Sequence, residues 1–204
     1  MTYLIFGWLL WCSLHSLLIT GKLNDWIKKR GGILQGTYRL FYSLFSLLSL
    51  LPLLWYQYSL PQEILFSWSG WLRIPQGLLL GYGLLMFYSG KQVYDVQYLL
   101  GIRQWQQYRR GEQPLSLPFT CAGALAYVRH PWYSSGLALL WSLGPITDTN
   151  LPPRTILSLY FVIGTLLEER KLLRELGEPY RLYQQQVPML LPWKGRSIRP
   201  GDSQ

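Results

Sequence analysis

Long apolar runs that charged residues barely interrupt dominate this sequence, and few folds accommodate them. A membrane-spanning helix is apolar on all sides over about 20 residues, whereas a soluble helix carries charge on one face. Here only 14% of the residues are charged and 50% are hydrophobic. Five apolar runs follow one another, at roughly 3–20, 38–60, 74–89, 133–146 and 154–167. The sequence therefore predicts an all-α integral membrane protein with five transmembrane helices.

The basic residues between the runs predict how the helices are oriented. The loops after the first and third runs carry five Lys or Arg residues each, and those after the second and fourth carry one each. The bases of the first loop are Lys22, Lys28, Lys29, Arg30 and Arg39. Since Lys and Arg concentrate in cytoplasmic loops, this alternation places the N-terminus outside and the C-terminus in the cytoplasm.

Several other classes of protein are disfavoured. The net charge of +9 does not indicate nucleic-acid binding, because the bases lie in separate loops and no recognised motif accompanies them. Cys12, Cys121 and two histidines are widely separated, which predicts neither a disulfide framework nor a metal site. The first apolar run lacks a preceding basic region and a cleavage site, so we expect a retained helix and no signal peptide. No protein partner is indicated.

Polar residues cluster at the predicted cytoplasmic ends of the last two runs. Arg129 and His130 precede Pro131, which suits the first position of a helix, and a helix N-terminus with bases beside it favours an anion. Glu168 and Glu169 follow the fifth run. If the two helices form a hairpin, an anion pocket and a cation pocket lie side by side. S-adenosylmethionine, a zwitterion with an additional positive charge, would suit this pair.

Glu169 is expected to point toward the protein interior. It shares one helical stripe with Leu172, Leu173 and Leu176. A carboxylate buried without a partner is expensive, so two alternatives remain open. Glu169 forms a structural pair with Arg129 or another base, or it binds a cationic ligand together with Glu168. Gly177 is predicted to end this helix as a C-cap.

Between Gly123 and Pro192 the chain resembles the isoprenylcysteine carboxyl methyltransferase and phospholipid methyltransferase superfamily. The motifs are Gly123-x5-Arg129-His130-Pro131-Trp132-Tyr133, Glu168-Glu169-Arg170-x-Leu172, Gly177-x2-Tyr180-x2-Tyr183, Val187-Pro188 and Pro192. The resemblance implies a membrane methyltransferase that holds S-adenosylmethionine in a cytoplasmic pocket, formed by the hairpin of helices four and five and the C-terminal helix. The implied cofactor-binding residues are Tyr127, Val128, Arg129, His130, Tyr133, Gly136, Glu168, Glu169, Tyr180 and Tyr183. Leu125 stands where many members have an aromatic residue.

The first half of the chain is similar to a bacterial branch of that superfamily, which contains methanethiol S-methyltransferases and NnrU-like proteins. The motifs are His15-Ser16-Leu17-Leu18, Tyr38-Arg39-Leu40-x-Tyr42 with Ser46, and later Pro145-Ile146-Thr147. This implies the bacterial inner membrane, an active site facing the cytoplasm and a thiol acceptor. A prenylcysteine carboxylate, a lipid amine and a non-enzymatic role remain alternatives.

A thiol acceptor would react as the thiolate, which a nearby cation favours. Arg129, His15 and Arg39 are the candidate catalytic residues for that task, although His15 near a helix end is equally well interpreted as a packed polar contact. Residues 1–100 are predicted to form the scaffold and acceptor side, 101–192 the cofactor-binding core, and 193–204 a basic tail. The expected partners are the lipid bilayer and a small or lipophilic acceptor.

Overall fold

The computed structural model describes residues 1–19, 23, 26, 27, 30–112 and 119–194. Its elements are α1 (Thr2–Ile19), α2 (Gly32–Ser59), β1 (Ile64–Phe66), α3 (Arg73–Val93), α4 (Val96–Leu100), α5 (Ile102–Arg110), α6 (Pro131–Ser142), β2 (Ile146–Thr147), α7 (Leu151–Leu176) and α8 (Glu178–Gln186). Short 3-10 turns occupy Gly70–Leu72 and Gly123–Ala126. The predicted all-α class is confirmed. Three bases of the first loop, Lys22, Lys28 and Lys29, and most of the predicted tail lie outside the described residues.

Two of the described helices, α1 and α2, are long and apolar enough to cross a membrane. The other predicted spans coincide with α3, α6 and α7, and α6 has only 12 residues. A span needs about 20 residues, so the number of crossings stays a prediction. The fifth run and the charged segment after it form the single helix α7, as expected. This helix ends before Gly177, whose φ of 65° confirms the predicted cap.

Two features of the backbone differ from the expectation. Residues 147–153 are dense in turn-forming residues and predict a turn, but the turn is shorter, because α7 begins at Leu151 and takes Pro152 and Pro153 into its first turn. Proline is tolerated there, since the first backbone N–H groups of a helix have no partner within it. A small antiparallel pair, β1 with β2, was not expected. Ile64 is opposite Thr147 and Phe66 is opposite Ile146.

Packing divides the chain into two compact units. The first comprises residues 1–63, 95–117 and 148–153, and the second comprises 64–94, 118–147 and 154–204. In the first unit, side-chain hydrogen bonds join α1 to α2. Trp8 Nε1 donates to Gln57 Oε1 at 3.1 Å, and Trp11 Nε1 donates to Ser49 Oγ at 3.2 Å. Polar groups that bond across two apolar helices specify how the helices pair.

In the second unit, α3 packs closely along α6, which fixes where α6 begins. A Cβ at Gly83 would lie 2.8 Å from the side chain of Leu139, so only glycine permits this approach. The backbone carbonyl of Gly83 accepts a hydrogen bond of 2.7 Å from Ser135 Oγ. Trp132 Nε1 donates to the carbonyl of Phe87 at 3.1 Å. Small residues and interhelical hydrogen bonds are the usual means of close helix packing in membranes.

Candidate functional site

A buried carboxylate, Glu169, lies at the centre of the site and is only 8% exposed. Its oxygens accept five hydrogen bonds, from Arg129 Nε (2.7 Å), Arg129 Nη2 (2.7 Å), His130 Nε2 (2.8 Å), Tyr180 Oη (2.9 Å) and Gln184 Nε2 (2.6 Å). We call Arg129, His130, Glu169, Tyr180 and Gln184 the Glu169 cluster. A carboxylate offers about four lone-pair sites, so this one is fully occupied. The structural pair with Arg129 is therefore present.

Arg129 uses the rest of its guanidinium group to hold the backbone after α8. Its Nη1 donates to the carbonyl of Gln184 at 2.9 Å and also to the carbonyl of Val187. Its backbone N–H donates to the carbonyl of Pro188 at 3.0 Å. All three guanidinium nitrogens thus have partners. Arg129 connects the residues before α6 to α7 and to the end of α8.

His130 stands directly before α6, and its imidazole lies between the two acidic residues of α7, Glu168 and Glu169. It is 3% exposed, and Pro131 follows it as the first residue of the helix. Because an ionised carboxylate only accepts hydrogen bonds, the Nε2 of His130 carries the hydrogen that bonds to Glu169. The other ring nitrogen, Nδ1, lies 3.8 Å from Oε2 of Glu168. The ring of Tyr133 meets the imidazole edge-on, with centroids 5.7 Å apart.

Glu168 differs sharply from its neighbour. Its side chain is 43% exposed, and within the described part of the chain the one basic side chain within 4 Å of its oxygens is His130, at 3.8 Å. Tyr94 lies close to it, and the pKa of that phenol is raised, first by burial and then by the negative charge of Glu168. Tyr133 also interacts with this carboxylate. Of the two adjacent acids, Glu168 is the one with capacity for a further ligand.

The ionisation of the Glu169 cluster follows from these contacts. Burial by itself would raise the pKa of Glu169, but hydrogen bonds from His130, Arg129 and Tyr180 outweigh burial and hold that pKa well below its ordinary value. The pKa of Tyr180 is raised by burial and by the charge of Glu169. At neutral pH the cluster therefore contains a carboxylate and a neutral phenol that donates to it.

This pattern predicts a loss of stability in acid. The folded pKa of Glu169 lies below its ordinary value of 4.5, so its stabilisation is complete above that value and is lost as the pH falls toward the folded pKa. We expect the thermal midpoint in detergent to fall progressively below about pH 5. Glu169→Gln should remove this component of the pH dependence. A variant that follows the wild-type profile in parallel from pH 7 to 3 would contradict the assignment.

The predicted site residues fall into two groups in the second unit. Arg129, His130, Tyr133, Glu168, Glu169 and Tyr180 come together around the imidazole of His130. The others have separate contacts. Tyr183 donates from Oη to the carbonyl of Leu125 at 2.7 Å, and Val128 is fully buried. Tyr127 is 39% exposed, and Gly136 faces the ring of Phe161, whose nearest atom would lie 2.8 Å from a Cβ there.

His15 and Arg39 lie in the first unit. The Tyr42 hydroxyl is 2.7 Å from Nε2 of His15, and Ser46 Oγ is 3.1 Å from its Nδ1. The ring of Trp11 stacks on the imidazole, with centroids 5.0 Å apart. His15 is thus held by packed polar contacts. Arg39 donates from Nε to the carbonyl of Leu99 at 3.0 Å and lies over the ring of Tyr98.

Sequence reasoning missed Gln184 and Tyr94. Gln184 lies one turn after Tyr180 on α8, so both face Glu169, but a glutamine in a polar helix has no chemical signature. Tyr94 directly follows α3 and meets Glu168 only through tertiary packing. The stripe of Glu169 with the leucines is confirmed. Leu172, Leu173 and Leu176 pack against the buried core formed by Ala126, Tyr180, Tyr183 and Val187.

The chain matches a known protein family and several known proteins. The family described as "NnrU protein" matches residues 3–169. Methanethiol S-methyltransferase 1 of Bradyrhizobium diazoefficiens is 27% identical over 184 residues, which are 90% of this chain and 64% of that protein. Methanethiol S-methyltransferase 2 of the same organism is 31% identical over 181 residues, 87% of this chain and 68% of that protein.

A third relative has a different name. Nurim of Bos taurus is 26% identical over 172 residues, which are 80% of this chain and 64% of that protein. No solved structure matches the chain. The chain spans just under two thirds of the length of the first of these relatives, 64% of methanethiol S-methyltransferase 1.

Proposed function

Since the chain belongs to the NnrU family, we propose that it is an integral membrane methyltransferase that uses S-adenosylmethionine and methylates a small thiol such as methanethiol. The observation that carries the proposal is the pair of adjacent acids on α7. Glu169 is fully occupied within the Glu169 cluster, while Glu168 is half-exposed beside His130. The names of the methanethiol S-methyltransferase relatives support the reaction and the acceptor.

The residues present fit the cofactor's amino-acid end. An ammonium group needs acceptors and negative charge, and the half-exposed carboxylate of Glu168 supplies both. The carboxylate end suits the N-terminus of α6, where first-turn N–H groups and the helix dipole favour an anion. Gly164, one turn before Glu168, leaves space: a Cβ there would be 3.7 Å from the ring of Tyr133, an ordinary contact distance.

When bound, S-adenosylmethionine supplies the methyl group of its sulfonium for an in-line displacement by the acceptor. The residues of the chain bind and orient the cofactor and the acceptor, and they exclude water from the site. Glu168 holds the ammonium, and Tyr133 packs between His130 and Phe161 beside it. Arg129 has its donors occupied, which favours a positioning role: it fixes His130 and Glu169 in place. Even a cysteine thiol, with an ordinary pKa of about 8.5, is mostly protonated at neutral pH, so a cation that favours the thiolate would raise the reactive fraction of a thiol acceptor.

Arg39 is the cation proposed for the acceptor side, and His15 is proposed as a polar group there. We further propose the five-helix arrangement with the N-terminus outside, the C-terminus in the cytoplasm and the site facing the cytoplasm, in the bacterial inner membrane. Loop charge supports this orientation. It places the Glu169 cluster and Glu168 on the side from which a soluble cofactor arrives.

The test is methyl transfer by the detergent-purified full chain. We expect labelled methyl to pass from S-adenosylmethionine to methanethiol, and much more slowly to a prenylcysteine analogue or to phosphatidylethanolamine. A reaction without acceptor gives the background. Transfer to the carboxylate or the amine in preference to the thiol would contradict the proposed acceptor, but the protein would still be a methyltransferase. Folded protein that transfers no methyl and binds no S-adenosylhomocysteine would reject the proposal in favour of a non-enzymatic membrane role.

A further inference from the structure

The first unit carries a basic recess that the proposed methyl transfer does not use. We propose that this recess, formed by Gln106, Arg109 and Arg110 on α5, binds the phosphate of an anionic phospholipid of the surrounding bilayer. It measures about 360 Å³. Two guanidinium groups supply hydrogen-bond donors and positive charge at its polar wall, and the amide NH2 of Gln106 adds a further donor, which is the chemistry of a phosphodiester site.

The position of α5 favours a lipid as the source of that phosphate. The 28 residues of α2 would extend about 42 Å, more than the hydrocarbon core of about 30 Å, so the helix ends reach the headgroups. Tyr108 of α5 packs at the first turns of α2. A Cβ at Gly36 would lie 2.5 Å from the Cβ of Tyr108, so the two backbones approach closely there. The recess is therefore at headgroup depth.

The side chains around the recess have the distribution of an interfacial helix. Arg103, Gln106 and Arg110 follow one another at i, i+3 and i+7 on one face of α5 and are exposed, as are Tyr108 and Arg109. Ile102 and Trp105 are half-buried, and the ring of Trp105 lies under the guanidinium of Arg109 at 6.0 Å. Aromatic rings with flanking arginines are typical of the boundary between headgroups and hydrocarbon.

The charges near the recess leave Arg109 available. Arg103 pairs with Asp95 at 2.5 Å, and the exposed Arg110 has a loose contact with Glu112 at 3.7 Å. Within the described ranges, no carboxylate pairs with Arg109. A phosphate beside Arg109 and Arg110 would give Arg109 a counter-charge and would add to the loose contact of Arg110 with Glu112. The inference is independent of the proposed function, because it concerns only α5 and its contact with α2.

The test measures the thermal midpoint of the detergent-purified full chain as phosphatidylglycerol or phosphatidylcholine is added to the micelles. We expect phosphatidylglycerol to raise the midpoint and phosphatidylcholine to raise it much less. One basic residue at an anionic surface contributes about fivefold in affinity. The double variant Arg109→Gln/Arg110→Gln should therefore need roughly 25-fold more phosphatidylglycerol for half of the effect. Arg109→Lys/Arg110→Lys should restore most of the response.

The matched control is Lys171→Gln/Arg174→Gln, which removes the same charge from the end of α7. It should keep the wild-type half-saturation within about twofold, since neither base lines the recess on α5. If both double variants lost the response to phosphatidylglycerol equally, the response would depend only on net charge, and the proposal would be overturned. An equal response to phosphatidylcholine would overturn it as well. If glycerol 1-phosphate raised the thermal midpoint at the same concentration as phosphatidylglycerol, the ligand would be a soluble phosphate and not a lipid.

Discussion

Glu169→Gln is expected to destabilise the protein by about 3–5 kcal/mol, the usual cost of removing one partner from a buried ion pair. The substitution preserves shape but leaves the side chain of Arg129, 9% exposed, without a counter-charge. It also turns one oxygen acceptor into a donor that faces other donors. Because a domain is stable by only about 5–15 kcal/mol, a large share of the folded population should be lost.

The control for this experiment is the same chemical change one residue earlier. Glu168→Gln alters a side chain that is 43% exposed, and the expected change in stability is within about 0.5 kcal/mol. Unfolding in mixed micelles with sodium dodecyl sulfate, followed by circular dichroism, measures both. Equal losses in the two variants, or a negligible loss in Glu169→Gln, would show that the Glu169 cluster does not hold the second unit together.

The sequence was sufficient for those features that depend on local periodicity. The apolar runs predict the long helices because a spanning segment must be apolar on every side. The inward direction of Glu169 follows from its spacing to Leu172 and Leu176, which the structure places against the core. Gly177 ends α7 where a positive φ is needed, and glycine adopts that conformation at least cost.

The remaining features depend on tertiary contacts that no local pattern encodes. The β1–β2 pair joins Phe66 to Ile146 across 80 residues of sequence, and all three residues of β1 are apolar and exposed, so no alternation of apolar and polar residues marks it. Which of two adjacent acids is occupied is decided by where Arg129 and Gln184 lie. Their contacts select Glu169. The structural pair that the sequence left open therefore falls to Glu169, and the ligand site proposed at Glu168 awaits its test.

Glu168→Gln is expected to weaken the binding of S-adenosylhomocysteine, which has the same amino-acid end as the cofactor, by about 10–50-fold. A hydrogen bond between charged groups contributes about 1.5–3 kcal/mol, and the half-exposed position of Glu168 favours the lower half of that range. Stability should be unchanged, so the loss reports on the ligand and not on the fold. Isothermal titration calorimetry on the folded variant measures it.

The matched control is Glu175→Gln, the same change two turns later on α7. Glu175 is exposed and pairs with Lys171 at 3.8 Å, away from the Glu169 cluster, so the affinity should equal that of the wild type. A Glu168→Gln variant that binds as tightly as the wild type would place the ammonium elsewhere. A loss in Glu168→Gln alone would make the two adjacent acids functionally distinct: Glu169 stabilises the fold, and Glu168 recognises the ligand that this arrangement of His130 and α6 accommodates.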